Sequence, residues 1–432
     1  MTSDDDQDQL SADDARILGL ESAAITGHTL KLVILEPGSG PLDLDALRDS
    51  VARRLGAQPL ATKRVDTTGP EPRWVADPEF DIADHIRRTP TPDSGSEADL
   101  RRIVSTLMSE HLDRTRPLWT FDVIGPLADG REAIAARIHH AMADGIAGVR
   151  FLETVLFDEQ NPDGGASGNS GPGVKAGPAE HRRKDEALRM PGVLWRELGH
   201  PGSHSPFDQP ITAERELAFS VAPLAEMKRI GGSRPDHATV NDVLLAIIAG
   251  GLREWLHASG GRAHHLRAQV PVSLHHRDDG ATGGNHDSFI NVDLPLHEED
   301  PLSRLDLISR ETTKRKKLDD AEEIYDLLHA LGRVKRIDRA AQHLAGSARE
   351  FSLAISNVPG PSTGVSIYGR RVQNLFSSSE PGAHHSLRIS AISCDGDIGI
   401  GLCTDPSALP GIPELADAIT RAYTELRDAS VG

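Results

Sequence analysis

A chain of 432 residues is longer than one ordinary core can fill and predicts two domains. With 26% charged and 38% apolar residues the body reads as globular, and a net charge of −18 argues against nucleic-acid binding and against a general attraction to anionic lipid. Two cysteines, Cys394 and Cys403, support neither a disulfide framework nor a Cys-based zinc site.

The opening "MTSDDDQDQLSADDA" holds six Asp and no base, and residues 1–9 read as a solvated acidic tail. It has neither the basic end nor the apolar run of a secretion signal. Further on, "REAIAARIHH" reads as a strand, with Ile134, Ile138 and His140 on one parity. Gly148, Val149, Leu152, Val155 and Leu156 then recur at helical spacing. A Gly/Pro/Ser/Asn-rich stretch, 158–186, marks a linker that divides the chain into a first half at 10–157, a connection at 158–209 and a second half at 210–432.

The second half opens with a short helix carrying Leu224, Met227 and Ile230, stopped by Gly231. In "TVNDVLLAIIAGGLREWLHASGG", Thr239 is the expected N-cap and Asp242 suits the positive end of the helix dipole. The apolar run at 243–252 is half the length needed to span a bilayer, roughly 20 residues. "LRAQVPVSL" and "SFINVDLPL" read as strands, and "PLSRLDLISRETTKRKK" as an amphipathic helix with a basic end, where the Lys314–Lys317 run reads first as a solvated surface. "EFSLAISNV", "SLRISAIS" and "IGIGLCT" add strands before a closing helix from about Pro413. The class is α/β, or mixed α+β, in two halves.

Four His-His pairs occur, at 139, 264, 275 and 384, so a pair alone carries little weight. The pair at 139 stands out by its position, at a strand-to-helix junction followed by Asp144 and Gly145. On the junction alone two readings stand: a half-buried, satisfied imidazole before a helix-starting Asp, or a general base. A shared metal ion is disfavoured, because adjacent strand residues point to opposite sides.

The order of several blocks then resembles one family. His139, His140, Asp144 and Gly145 form His-His-x-x-x-Asp-Gly; Pro117, Leu118 and Trp119, the Asn241–Asp242 pair, "RAQVPVSL" with "GGNHDSFINVDLP", "SNVPGP" at 356–361 and "LSADDARILGLE" accompany it. Together they resemble the bacterial wax ester synthase/diacylglycerol acyltransferases, over nearly the whole chain. The resemblance implies two chloramphenicol-acetyltransferase-like halves with the active site in a tunnel between them. It implies acyl-CoA as co-substrate, no cofactor, and a long-chain alcohol or diacylglycerol as acceptor, with no nucleic-acid partner.

By the same resemblance His140 is the general base with His139 beside it, and Asn241 the oxyanion donor. Asp144, which in related enzymes forms a salt bridge, shapes the loop; Gly145, read as letting the backbone turn tightly into the helix, and Asp242 are structural at the site. Asn357 and Arg388 are expected to touch substrate. The family tends to carry Asn where this chain has Arg388, which opens the door to a more polar acceptor. Trp119 reads as core. Alternatives are a carrier-protein donor, a specialised acceptor, or an acyl-CoA-binding relative without turnover. The expected location is cytoplasmic, with at most peripheral contact with membrane or lipid bodies.

Overall fold

The computed structural model describes residues 9–69, 71–92, 95–158, 205–261, 266–273, 287–317 and 351–431. The acidic tail before Gln9, most of the 158–209 connection, and the His pairs at 264 and 275 lie outside the described residues.

The first half contains helix α1 (Ala12–Leu20), strand β1 (His28–Leu35), α2 (Leu44–Arg54), the hairpin β2 (Lys63–Asp66) and β3 (Arg73–Ala76), the single turn α3 (Ile82–His85) and β4 (Ile86–Thr89). It continues with α4 (Glu97–Ser109), β5 (Trp119–Ile124), β6 (Glu132–His139) and α5 (Gly145–Val155). The second half contains β7 (Glu216–Pro223), α6 (Leu224–Gly232), α7 (Val240–Ala258), β8 (Leu266–Ser273), β9 (Asp287–Leu294) and α8 (Pro301–Lys317). After these come β10 (Leu353–Val358), β11 (Ser366–Ile367), β12 (Arg370–Ser379), β13 (Leu387–Cys394), β14 (Asp397–Thr404) and α9 (Ile412–Ala429).

Two six-stranded sheets carry the fold, in the orders β11-β12-β1-β6-β5-β4 and β7-β14-β13-β10-β8-β9. The first order overturns a clean division at 210. Strands β11 and β12 belong to the second half of the sequence, yet β12 pairs antiparallel with β1 along Thr29↔Ser379 to Leu35↔Val372. Without it β1 would end the sheet with a row of unpaired backbone groups. Asp158, the first residue of the expected connection, pins the β11–β12 hairpin to the end of α5. Its carboxylate accepts from the Ser366 hydroxyl at 2.6 Å and from the Tyr368 and Gly369 N–H groups at 2.9 Å. At the far side of the connection Phe207 is fully buried in the second core. A polar, Pro-flanked neighbourhood conceals such a single anchor from a reading by composition.

All eight residues of β1 and all eight of β6 are buried, because both faces of the first sheet are covered. On one face Val33, Leu35, Ile134, Ala136 and Ile138 pack with Leu47 and Val51 of α2 and Val149, Leu152 and Val155 of α5. On the other, Leu30, Leu32, Ile34 and Ala135 meet Leu100, Val104, Leu107 and Met108 of α4. Leu217 and Cys403, from the second sheet, complete that cluster. Trp119 is core as read: it is fully buried, stacks on His85 at 4.6 Å and donates its indole N–H to the Ala61 carbonyl at 2.9 Å.

The second core gathers around α7, which is buried almost all round from Asp242 to Leu252 rather than along one stripe. Thr239 caps it, as the sequence predicted, and Asp242 answers with its own carboxylate in a reciprocal box that the sequence reading had not drawn. The two sheets meet where β12 crosses β13 and β14. The approach there is so close that a Cβ at Gly401 would overlap the Ser377 carbonyl oxygen, so glycine is obligatory.

Candidate active site

Strand β6 ends at His139, and the next two backbone bonds dock the histidine pair between two neighbours. The His139 N–H donates to the Leu118 carbonyl at 3.0 Å, and the His140 N–H to the Gly27 carbonyl at 2.9 Å. His139 is buried and locked. Its Nδ1 accepts from the Ala141 N–H at 3.0 Å, so the hydrogen-bond network assigns the proton to Nε2, which donates to Glu21 Oε1 at 2.7 Å. Gly27, at φ +74°, leaves the room: a Cβ there would overlap His139 Nε2. Glu21 is itself held by Arg114 at 2.7 Å. Burial works to raise its pKa, but the hydrogen bonds from His139 and Arg114 outweigh that and hold it below the usual carboxylate range.

His140 sits in the turn beyond the strand, half-buried. Among the described residues its imidazole has no hydrogen-bond partner, in contrast to His139. Burial first, then the positive charges of Arg388 and Lys31, push its pKa down to about 3, so the ring is neutral and an acceptor is available. Asp144 closes the turn as N-cap of α5, its carboxylate accepting from the Ala147 N–H at 2.8 Å. Gly145 differs from expectation: its φ is not in the left-handed region, so it does not serve a tight turn. Its missing Cβ instead admits Val358 of β10, which would stand 3.3 Å from that atom.

Lys31 is the residue the sequence reading passed over. It lies directly opposite Ala136 on β6, hence on the same face as Ile134, Ile138 and His140. It is 1% exposed, and its Nζ donates to the Ser377 hydroxyl of β12 at 2.9 Å. Burial, reinforced by Arg388 and opposed by Asp144, brings its pKa from 10.5 to about 8. Arg388 comes to the same place from the second sheet. It shares a face of β13 with Ser390 and with Ile392, which packs into the first core, while Leu387, Ile389 and Ala391 point to the second. Its Nε is buried with no hydrogen-bond partner. One sequence signal was present for Lys31: a lone cation inside the apolar run "LKLVIL". Glu21 was visible only as part of a family-like block.

The structure thus brings together His139, His140, Asp144, Gly145 and Arg388. Asn357 is not with them: opposite Ala391 in register, it lies on the other face of its sheet, toward the second core. Strand alternation alone decides this, since Ser356 and Val358 take the face toward the first sheet. Asn241, the second residue of α7, is half-buried, and no hydrogen bond among the described residues joins it to His140. Asp242 has a structural place, accepting from the Thr239 N–H at 2.8 Å and the Thr312 hydroxyl at 2.7 Å. Both cysteines are buried, and burial raises the thiol of Cys394 to about 11 and that of Cys403 to about 12. Neither is a nucleophile at neutral pH.

Two mixed sheets with a histidine at their junction define the fold of the two-domain acyltransferases. The wax ester synthase/diacylglycerol acyltransferase from Marinobacter aquaeolei VT8 superposes with a TM-score of 0.75 at 22% identity, over 98% of this chain and all of that one. The starter condensation domain of rhizomide synthetase, solved with C8-CoA and Leu-SNAC, superposes at 0.58 and 12% identity over 98% of this chain and 94% of that one. The sequence narrows the class. Residues 10–194 match the wax ester synthase/diacylglycerol acyltransferase catalytic domain and 283–427 the C-terminal domain of the same family. The probable diacylglycerol O-acyltransferase tgs1 of Mycobacterium tuberculosis H37Rv is 30% identical over 426 residues, 91% of this chain and 90% of its own length. The chain belongs to the wax ester synthase/diacylglycerol acyltransferase family and is an O-acyltransferase. No helix among the described residues is long and apolar enough to cross a membrane.

Proposed function

We propose that the protein transfers a fatty acyl group from coenzyme A to the hydroxyl of a bound acceptor, a diacylglycerol, a long-chain alcohol or a more polar alcohol, with His140 as general base. The observation that carries this reading is the contrast within the pair: His139 spends both ring nitrogens on Ala141 and Glu21, while the neutral His140 ring keeps its acceptor nitrogen for a substrate proton. His140 takes the acceptor's proton as its oxygen attacks the thioester carbonyl. The tetrahedral intermediate then collapses with loss of the CoA thiolate, which His140 can reprotonate. The reaction needs no acyl-enzyme, in keeping with two protonated thiols, and calls on no resident cofactor. The donor role at the oxyanion is assigned to Asn241 by family resemblance. Relatives named diacylglycerol O-acyltransferases support the diacylglycerol acceptor, and a peripheral site of action at lipid surfaces goes with it.

Release of CoA from palmitoyl-CoA tests the reading, without acceptor, then with hexadecanol, a diacylglycerol or a hydroxy acid. Acceptor-dependent release is expected, abolished in His140→Ala with palmitoyl-CoA binding retained. Asn241→Ala is expected to lower kcat by roughly 100- to 1,000-fold if its amide meets the oxyanion. Turnover surviving His140→Ala refutes the assigned base. Binding of palmitoyl-CoA with no release for any acceptor favours a non-catalytic relative.

A further inference from the structure

Two cations converge beside His140 from different sheets, and neither has a full ionic partner among the described residues. Lys31 is buried and its ammonium donates to a neutral hydroxyl, that of Ser377. Arg388 buries an Nε that donates to nothing. The carboxylates that act on them are committed elsewhere. Asp144 caps α5, and Glu380 accepts from the Thr26 N–H at 2.8 Å, the Thr26 hydroxyl at 3.1 Å and the Gly27 N–H at 2.7 Å, with Arg215 at 3.9 Å. The Cys403 thiol opposite Arg388 stays protonated and supplies no charge. Among the described residues, Arg388, Lys31 and Arg215 therefore face two carboxylates, an excess of positive charge in a place where an unpaired charge is costly.

Building on the assignment of His140 as the base, we propose that Lys31 and Arg388 form a subsite for an anionic group on the acyl acceptor, a carboxylate or phosphate a few bonds from the hydroxyl that is acylated. The phosphates of CoA do not meet this need, because they lie at the far end of the pantetheine arm from the thioester sulfur. A transient oxyanion does not meet it either, because it leaves both cations uncompensated in the ground state. An acceptor anion neutralises them when it binds and relieves the repulsion that they exert on a protonated His140. Binding thereby raises the basicity of His140 only when the acceptor is in place.

Matched acceptors test this. 3-Hydroxyhexadecanoate is compared with hexadecane-1,3-diol, and glycerol 3-phosphate with glycerol, by calorimetric binding and by CoA release, in the wild-type protein, Lys31→Met and Arg388→Met. The anionic member of at least one pair is expected to bind and react roughly 10- to 100-fold better in the wild type, a ratio that collapses toward one in either variant. The pair that shows the ratio tells a carboxylate from a phosphate acceptor. Equal use of anionic and neutral members by the wild type overturns the proposal. So does a fall in both by the same factor in the variants, which would make the cations oxyanion donors. Anion binding that depends on Lys31 and Arg388, with no CoA release from any acceptor, upholds the subsite and fails the acyl-transfer reading instead. Thermal melting establishes that each variant is folded.

Discussion

Lys31 and His140 show how a single strand register sets the protonation of a site. Both lie on one face of their sheet and both are desolvated; burial and then Arg388 lower the proton affinity of each, and the Lys31 ammonium lowers that of His140 further. Lys31 has a consequence for stability with a definite sign. Below pH 8 the folded and unfolded chains both hold its proton, but the folded chain holds it in a buried place, at a cost on the order of 3 kcal/mol. Between pH 8 and 10.5 the folded chain gives the proton up while the unfolded chain keeps it, so the stability owed to this group rises with pH. Lys31→Met is therefore expected to melt above the wild type at pH 7, by up to about 3 kcal/mol, with the difference shrinking through pH 8 to 10. Denaturant titrations of both proteins at pH 7, 8.5 and 10 measure it; a wild type that is the more stable at pH 7 contradicts it. For catalysis, the kcat/KM profile of the free enzyme should lack the usual histidine limb near 6.5, since His140 does not protonate until pH falls to about 3.

Among elements, β12 has the most consequential place. It is the hydrogen-bonded neighbour of β1, carries the Ser377 hydroxyl that receives the Lys31 ammonium, and presses its backbone against Gly399 and Gly401 of β14. A methyl group at Gly401 cannot be taken up by a side-chain rotation, because what it meets is the carbonyl of Ser377. Gly401→Ala is expected to destabilise the protein by about 1–3 kcal/mol, the usual scale of overpacking, and to displace Ser377 from Lys31. Acyl transfer should then fall in soluble, folded protein, read as CoA release beside a melting curve. Unchanged melting and unchanged turnover would show that the sheets are not so closely apposed. The helix start at Asp144 illustrates the opposite case: Asp as N-cap and the apolar spacing beyond it were readable locally, because a cap and its helix lie within four residues of each other. Gly145 was misread because its neighbour, Val358, is remote in sequence.

For the molecule as a whole, the two sequence halves are not two independent folds. The first sheet takes β11 and β12 from the second half, and Asp158, just beyond α5, holds their hairpin from the other side. Fragment 1–158 expressed alone is expected to aggregate, because β1 then presents a bare apolar edge. Co-expressed with 205–432 it should be recovered as a soluble pair that co-elutes on gel filtration. A monomeric, cooperatively melting 1–158 fragment would show that the edge is dispensable.

What the sequence determined by itself was local or ordered along the chain. Capping residues, helical and alternating spacings and the succession of motif blocks identified the elements, the histidine pair and the family resemblance, since each depends on near neighbours or on order. What only the tertiary structure decided is which faces are covered and what covers them. Period-two alternation places Lys31 opposite Leu30 and Arg388 opposite Leu387, and by itself it reads both cations as the polar face of a half-exposed sheet. They are brought inside because β12 crosses from one half of the sequence to the sheet of the other, so that Lys31 and Arg388, 357 positions apart in number, act on one imidazole.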